Sequence, residues 1–143
     1  MNKLILAQTD TTVGFLSQDL SRLCSVKKHR EGKPFLKVFS NSSLLTSSIR
    51  IPHVHKHIVR HAKKTTFIIN NQAFRLVTNN QHAHLIERYQ WLYSTSANES
   101  NQPYSYTYCF EHADIIVEDK YGLYEASPST LIKLHRKKRQ KLR

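Results

Sequence analysis

Apolar residues in this chain come in short runs divided by polar turns. Leu4-Ile5-Leu6-Ala7 predicts a first strand, and Thr9 to Gly14 reads as the loop after it. Ser17 is a candidate helix cap, with Asp19 favourable in the first turn. Leu20, Leu23 and Cys24 then give one apolar helical face. Phe35 to Phe39 predicts a second strand, and Pro52 stands ahead of a helix running through Lys63 with Ile58 and Val59 inward. Thr65 to Ile69 is β-branched and aromatic, as strands are. Asn70-Asn71 turns the chain into another strand, Ala73 to Val77, and His82 to Tyr89 has helical spacing. Trp91-Leu92 opens a strand that ends in the hydroxyl-rich stretch Ser94-Thr95-Ser96-Ala97-Asn98. Asn98 to Ser105 is a polar loop containing Pro103, and Ile115-Ile116-Val117 and Thr130-Leu131-Ile132 are short apolar strands. Strands and helices interleave, so the pattern predicts an α/β fold with a twisted mixed β-sheet flanked by helices.

Length changes this picture little. The chain has 143 residues, which predicts a single domain over 1–143. A domain of that size buries roughly 70% of its unfolded surface and needs no staples. Cys24 and Cys109 are far apart, so they read as reduced thiols rather than a disulfide or a zinc site. No apolar stretch reaches the length of a membrane span, and the short apolar start predicts a strand rather than a signal peptide. The expected location is cytoplasmic, with no membrane partner.

Charge changes it more. The formal net charge is +12, which points to polyanionic partners. Seven of the last eleven residues are basic, so 133–143 reads as a basic C-terminal tail, solvated or in contact with RNA. Lys56, Arg60, Lys63 and Lys64 form a second group.

Candidate chemistry centres on Ser94 to Asn98. An uncharged run of small hydroxyls and one amide suits neither core nor open surface. It suits a strand end where a phosphate or an amino acid docks. Glycine is limited to Gly14, Gly32 and Gly122, so no glycine-rich phosphate loop exists and side chains must hold any nucleotide. Lys28 and Arg30, two apart in an extended segment, could neutralise a triphosphate from one side. Thr9-Asp10-Thr11 follows the first strand, and Ser129-Thr130 opens the last apolar one. His53, His57 and His61 would share a helix face, with His55 between them. No acidic residue lies within that helix and no cysteine is nearby, so protonatable surface histidines are the favoured reading over a metal site. No nucleophile–base dyad stands out, which counts against a hydrolase.

In this order, the pieces resemble the YrdC-like family of threonylcarbamoyl-AMP synthases. Gln8-Thr9-Asp10-Thr11-Thr12-Val13-Gly14-Phe15 is similar to the family's Pro-Thr-Asp-Thr-Val-Tyr-Gly-Leu. Lys28-His29-Arg30 matches its Lys-x-Arg, and Lys33-Pro34 its nearby Lys-Pro, one residue closer than usual. Thr95-Ser96-Ala97-Asn98 matches its Thr-Ser-Ala-Asn unchanged. Ala113 to Asp119, Ser129-Thr130-Leu131 and Leu142-Arg143 resemble its later segments. The resemblance spans nearly the whole chain.

It implies a single-domain YrdC-like fold that forms threonylcarbamoyl-adenylate from ATP, L-threonine and bicarbonate, for threonylcarbamoyladenosine in tRNA. Lys28, Arg30, Ser96 and Asn98 would be the catalytic set, and Lys28, Arg30, Thr66, Ser96 and Arg143 would meet ATP. Thr11, Lys33, Arg75, Ser94 and Ser129 would surround L-threonine. Magnesium would bridge the phosphates, held by nucleotide and water with no protein ligands. Partners would be tRNA or double-stranded RNA and a downstream threonylcarbamoyl transferase complex.

Several family positions are changed. Gln8 replaces a proline, Val13 a tyrosine and Val77 another proline. Ala62-Lys63-Lys64 replaces Pro-Gly-Pro, Glu99-Ser100-Asn101 occupies the place of Ser-Gly, and Lys120-Tyr121 replaces a double glycine. These changes bear on turnover more than on fold. The alternative reading is therefore an RNA-binding protein of this fold with weak or no synthesis. A purely structural partner of a larger modification complex fits less well, since the polar motifs persist.

Overall fold

A computed structural model describes residues 2–27, 35–78, 80–99 and 101–143. Lys28, Arg30 and Lys33 lie outside the described residues.

The first apolar run forms β1 (Ile5–Gln8), and its alternate side chains feed two cores. Leu4 and Leu6 pack with Phe15, Leu23 and Cys109, while Ile5 and Ala7 pack with Leu16, Ile86 and Leu92. A strand covered on both faces must be apolar throughout, which is why the run is unbroken. The expected loop after β1 is shorter than the sequence pattern indicates, because Val13 and Gly14 begin β2 (Val13–Ser17). Turn-like composition masked that strand. An added Cβ at Gly14 would lie 3.0 Å from the Thr95 carbonyl oxygen, so glycine lets β2 approach its neighbour closely.

Asp19, not Ser17, caps α1 (Leu20–Val26), accepting from the Ser21 amide. Ser17 supports that cap by accepting from the Asp19 amide at 3.0 Å. β3 (Leu36–Phe39) follows the undescribed segment. The helix expected from Pro52 through Lys63 is a 3-10 turn, His53–His55, followed by α3 (Lys56–His61). His55 points inward, 2.6 Å from the His135 carbonyl oxygen, while His57 and His61 stack at 4.3 Å. Among the described residues, no group of three His, Cys, Asp or Glu is placed to hold a metal ion.

β4 (Thr65–Ile69) and β5 (Gln72–Leu76) form the hairpin expected from Asn70-Asn71, both with positive φ. α4 (Gln81–Tyr89) is capped by Asn80, whose side chain accepts from the Ala83 amide. β6 (Trp91–Ser96) carries the hydroxyl-rich stretch. Two helices escaped the sequence pattern, α2 (Ser42–Ser48) and α5 (Tyr106–His112), capped by Asn41 and Ser105. Each buries one residue, Leu45 or Cys109, so neither has an apolar stripe to read.

β7 (Ile115–Val117), β8 (Thr130–Leu134) and β9 (Arg139–Lys141) complete a mixed sheet of order β7-β1-β2-β6-β3-β5-β4-β8-β9. The basic segment 133–143 is not a free tail, because it builds the β8–β9 hairpin at one sheet edge. The hairpin also ties the last residue down: the Leu131 amide donates to the Arg143 carbonyl at 2.9 Å. Among the described residues, no helix is long and apolar enough to cross a membrane.

Candidate functional site

Where β4, β5, β6 and β8 end beside the β1–β2 loop, they enclose a cavity of about 460 Å³. Thr11, Thr66, Arg75, Ser94, Ser96, Ser129 and Arg143 all line it. Those are all but one of the described site residues named from the sequence. The exception, Asn98, stands behind Ser96.

At one end, β5 holds Arg75 almost fully buried. Its Nη1 donates to Thr11 Oγ1 at 3.3 Å, and its Nη2 lies 3.4 Å from Asp10 Oδ1. The second contact is an ion pair without hydrogen-bond geometry, since Asp10 Oδ1 has no hydrogen-bond partner among the described residues. Arg75 Nε lacks one as well. Burial pulls the Arg75 pKa down, Asp10 opposes that shift and Arg143 adds to it. The chain thus keeps a cation in its interior with part of its donor capacity unused, a costly arrangement unless a ligand supplies an acceptor.

In the middle, hydroxyls pair across parallel strands. Thr66 Oγ1 and Ser129 Oγ lie 2.8 Å apart, and both residues are buried. Arg143 folds over them, with Nε donating to the Ser129 carbonyl at 3.0 Å and Nη2 to Ser129 Oγ at 3.3 Å. The register of β4 with β8 sets this contact, since Thr66 pairs with Leu131, two residues beyond Ser129. Ser94 is buried on β6 and lines the cavity wall.

At the other end, Ser96 Oγ donates to Asn98 Oδ1 at 2.6 Å. The Asn98 amide donates to the Glu99 and Gln102 carbonyls, which closes the turn after β6. Lys27 Nζ completes the group, 2.8 Å from Asn98 Oδ1, 3.0 Å from the Asn98 carbonyl and 3.2 Å from the Ser96 carbonyl. Lys27 is only 7% exposed. Sequence reading missed it in favour of Lys28 next door. The available signal was its position directly after Val26, the last buried residue of α1. Asp10 was visible in the Thr9-Asp10-Thr11 loop, but its pairing with Arg75 was not.

Cys109 is buried, and burial pushes its thiol up to about 11, so it is a core residue and not a nucleophile.

No family sequence model matches the chain, and no curated protein matches it by sequence. Solved structures do match. P. abyssi Sua5 complexed with L-threonine aligns with a TM-score of 0.80 and 18% identity, covering 99% of this chain and 50% of that one. E. coli YciO aligns with a TM-score of 0.77 and 17% identity, covering 99% of this chain and 82% of that one. Full-length HypF in a phosphate- and nucleotide-bound form gives 0.71 and 12%, covering 99% of this chain and 22% of that one. The chain spans about half the length of the Sua5 structures it matches. A cavity lined by hydroxyls and cations, on a mixed sheet flanked by helices, defines the class. The fold is that of the Sua5/YrdC proteins.

Proposed function

We propose that this protein binds ATP and L-threonine in the cavity and joins them, with bicarbonate, into threonylcarbamoyl-adenylate. The observation that carries this reading is Arg75, a buried cation on the cavity wall whose Nε has no hydrogen-bond partner among the described residues. Its planar fork suits the carboxylate of an amino acid. Thr11, Ser94 and Ser129 are within the same cavity to meet the polar groups of L-threonine, and Lys33 joins them in the sequence resemblance. A Sua5 of the same fold binds L-threonine, and HypF binds phosphate and nucleotide.

The reaction needs little covalent help from the protein. The threonine amine and bicarbonate condense to a carbamate with loss of water. A carbamate oxygen then attacks the α-phosphorus of ATP, and pyrophosphate leaves. Positioning and charge neutralisation supply most of the acceleration. Lys28, Arg30 and Arg143 would neutralise phosphate charge, Thr66 and Ser96 would orient the nucleotide, and Asn98 would hold Ser96. Magnesium would arrive on the nucleotide. The described lining offers it no carboxylate pair, and Asp10 is engaged with Arg75. The product would pass to a threonylcarbamoyl transferase complex acting on tRNA in the cytoplasm.

The test is incubation with ATP, L-threonine and bicarbonate, reading adenylate and pyrophosphate. Threonine-dependent release that disappears in Lys28→Ala and Ser96→Ala is the expected result. Release that persists in both variants defeats the residue assignments, and no release at all defeats synthesis. A second reading rests on the net charge of +12 and the exposed basic β8–β9 hairpin. In it the protein binds tRNA or double-stranded RNA with little synthesis, and its affinity falls steeply with added salt.

A further inference from the structure

The histidine-rich turn ahead of α3 and the basic β8–β9 hairpin meet at one side chain. His55 closes the 3-10 turn and is fully buried. Its Nε2 lies 2.6 Å from the carbonyl oxygen of His135, in the turn between β8 and β9. Arg139, the first residue of β9, donates from Nε to His55 Nδ1 at 3.2 Å. Its Nη2 donates to the Val54 carbonyl, also at 3.2 Å. An arginine can only donate, so His55 Nδ1 is the acceptor. Nε2 then carries the ring hydrogen and donates to His135. Both nitrogens are engaged, and only the neutral ring protonated at Nε2 serves both contacts.

What this cluster holds is the route to the cavity. β9 is three residues long, fully exposed, and lies at the edge of the sheet. A short solvated hairpin is weakly held by its own pairing. At its base, Leu134 packs into the core that contains Val59 of α3. Further out, Arg139 ties it to Val54 and His55. From there the ladder runs straight to the site. Arg139 pairs with Leu134 and Lys141 with Ile132, and the Leu142 amide donates to the Leu131 carbonyl at 2.7 Å. Arg143 follows, with its guanidinium on Ser129. Holding Arg139 therefore fixes the strand that delivers Arg143.

We infer that His55 is a positioning residue, a latch that clamps β9 through Arg139 and so seats Arg143 in the cavity. The inference rests on the proposed role of Arg143 at the phosphates of ATP. Leucine would fill the space of His55 but could neither accept from Arg139 nor donate to His135. With the latch open, the hairpin spends part of its time with Arg143 withdrawn, and apparent affinity falls with the fraction still seated.

Calorimetry with ATP tests the latch from both sides. Arg139→Met and His55→Leu are each expected to weaken ATP binding roughly fivefold, the worth of about one net hydrogen bond. The double variant should bind no worse than His55→Leu alone, since both changes open one latch. Lys137→Met removes an equal charge from the same exposed turn and should weaken ATP far less. Normal ATP affinity in Arg139→Met overturns the inference, and so does an equal fall in Lys137→Met, which would make the effect one of net charge. Arg139 is exposed, so its variant stays informative if His55→Leu does not fold. Hydrogen exchange supplies a readout without ligand. The Leu142 amide and the Arg143 Nε–H should exchange faster in Arg139→Met, while the amides of the β4–β5 hairpin keep their protection. Unchanged exchange at the first two, or loss of protection throughout β4 and β5, also overturns the inference. If the native protein fails to bind ATP, the proposed function falls and the exchange measurement still decides whether His55 and Arg139 seat Arg143.

Discussion

The two ends of the cavity use their polar groups differently. At the Ser96 end, Lys27 Nζ lies within 3.4 Å of four oxygens, and Asn98 is engaged on both its oxygen and its nitrogen. At the Arg75 end, Asp10 Oδ1 and Arg75 Nε have no hydrogen-bond partner among the described residues. Both ends contain a buried cation, yet one is saturated and the other is not. A saturated cation acts as a strut: its hydrogen bonds hold a turn in shape. A buried cation with spare donors costs stability until something accepts from it, which marks that end as the one shaped for a ligand. The two ends of one cavity thus differ in hydrogen-bond saturation, and the proposed function places the nucleotide at the saturated end and L-threonine at the other.

The largest effect should come from removing the unsaturated cation. Arg75→Ala strips the partner from a buried Asp10 and should cost about 3–5 kcal/mol of stability, read as a fall in the urea midpoint. L-threonine binding should vanish in calorimetry. Arg75→Lys sharpens the contrast, since it keeps the charge without the fork and should retain much of the stability but little of the binding. If Arg75→Lys bound L-threonine normally, the geometric argument for that end would fail.

Acid should act next. The folded pKa of His82 is lowered from 6.5 to about 4, so between those values the unfolded chain binds the extra proton. Stability is full above pH 6.5 and falls as pH drops toward 4, by up to about 3 kcal/mol. Urea unfolding at pH 7 and pH 4.5 checks this, and His82→Leu should flatten that part of the profile. A profile unchanged by His82→Leu would assign the acid sensitivity elsewhere.

The saturated end should respond most mildly. Lys27→Met keeps the aliphatic stem and leaves oxygens that the adjacent solvent-exposed Ser96 can share with water. It should cost about 1–2 kcal/mol and loosen the Ser96–Asn98 turn. In the synthesis assay KM for ATP should rise more than KM for L-threonine. The opposite split would reverse the division between the two ends.

Much of this was legible along the chain. The strand runs were readable because each is a short apolar block with polar punctuation, and β1 is apolar throughout because both its faces are covered. Of the residues that line the cavity, Ser94 and Ser96 were readable as hydroxyls where core and surface chemistry both fit poorly, while Thr66, Arg75 and Arg143 were reached only through the family resemblance. Where reading failed, the cause was a weak local signal overruled by tertiary contact. β2 runs through Gly14 because its neighbour comes within contact of where a Cβ would stand. α2 and α5 bury one residue each, too few to set a period. The basic end becomes strand β9 because β8 supplies a pairing edge, not because its own residues favour a strand.

By itself, then, the sequence determined the α/β pattern and the chemical character of the site: hydroxyls, an amide and cations without acidic pairs. Only the tertiary structure decided which of them meet. Among the described residues Lys27 reaches Ser96 and Asn98, because it follows directly from the buried end of α1. Asp10 joins Arg75 across a separation of more than sixty residues, brought together by tertiary packing. Composition can announce a buried arginine's need for partners. It takes strand register and helix packing to say which side chains stand near enough to answer it.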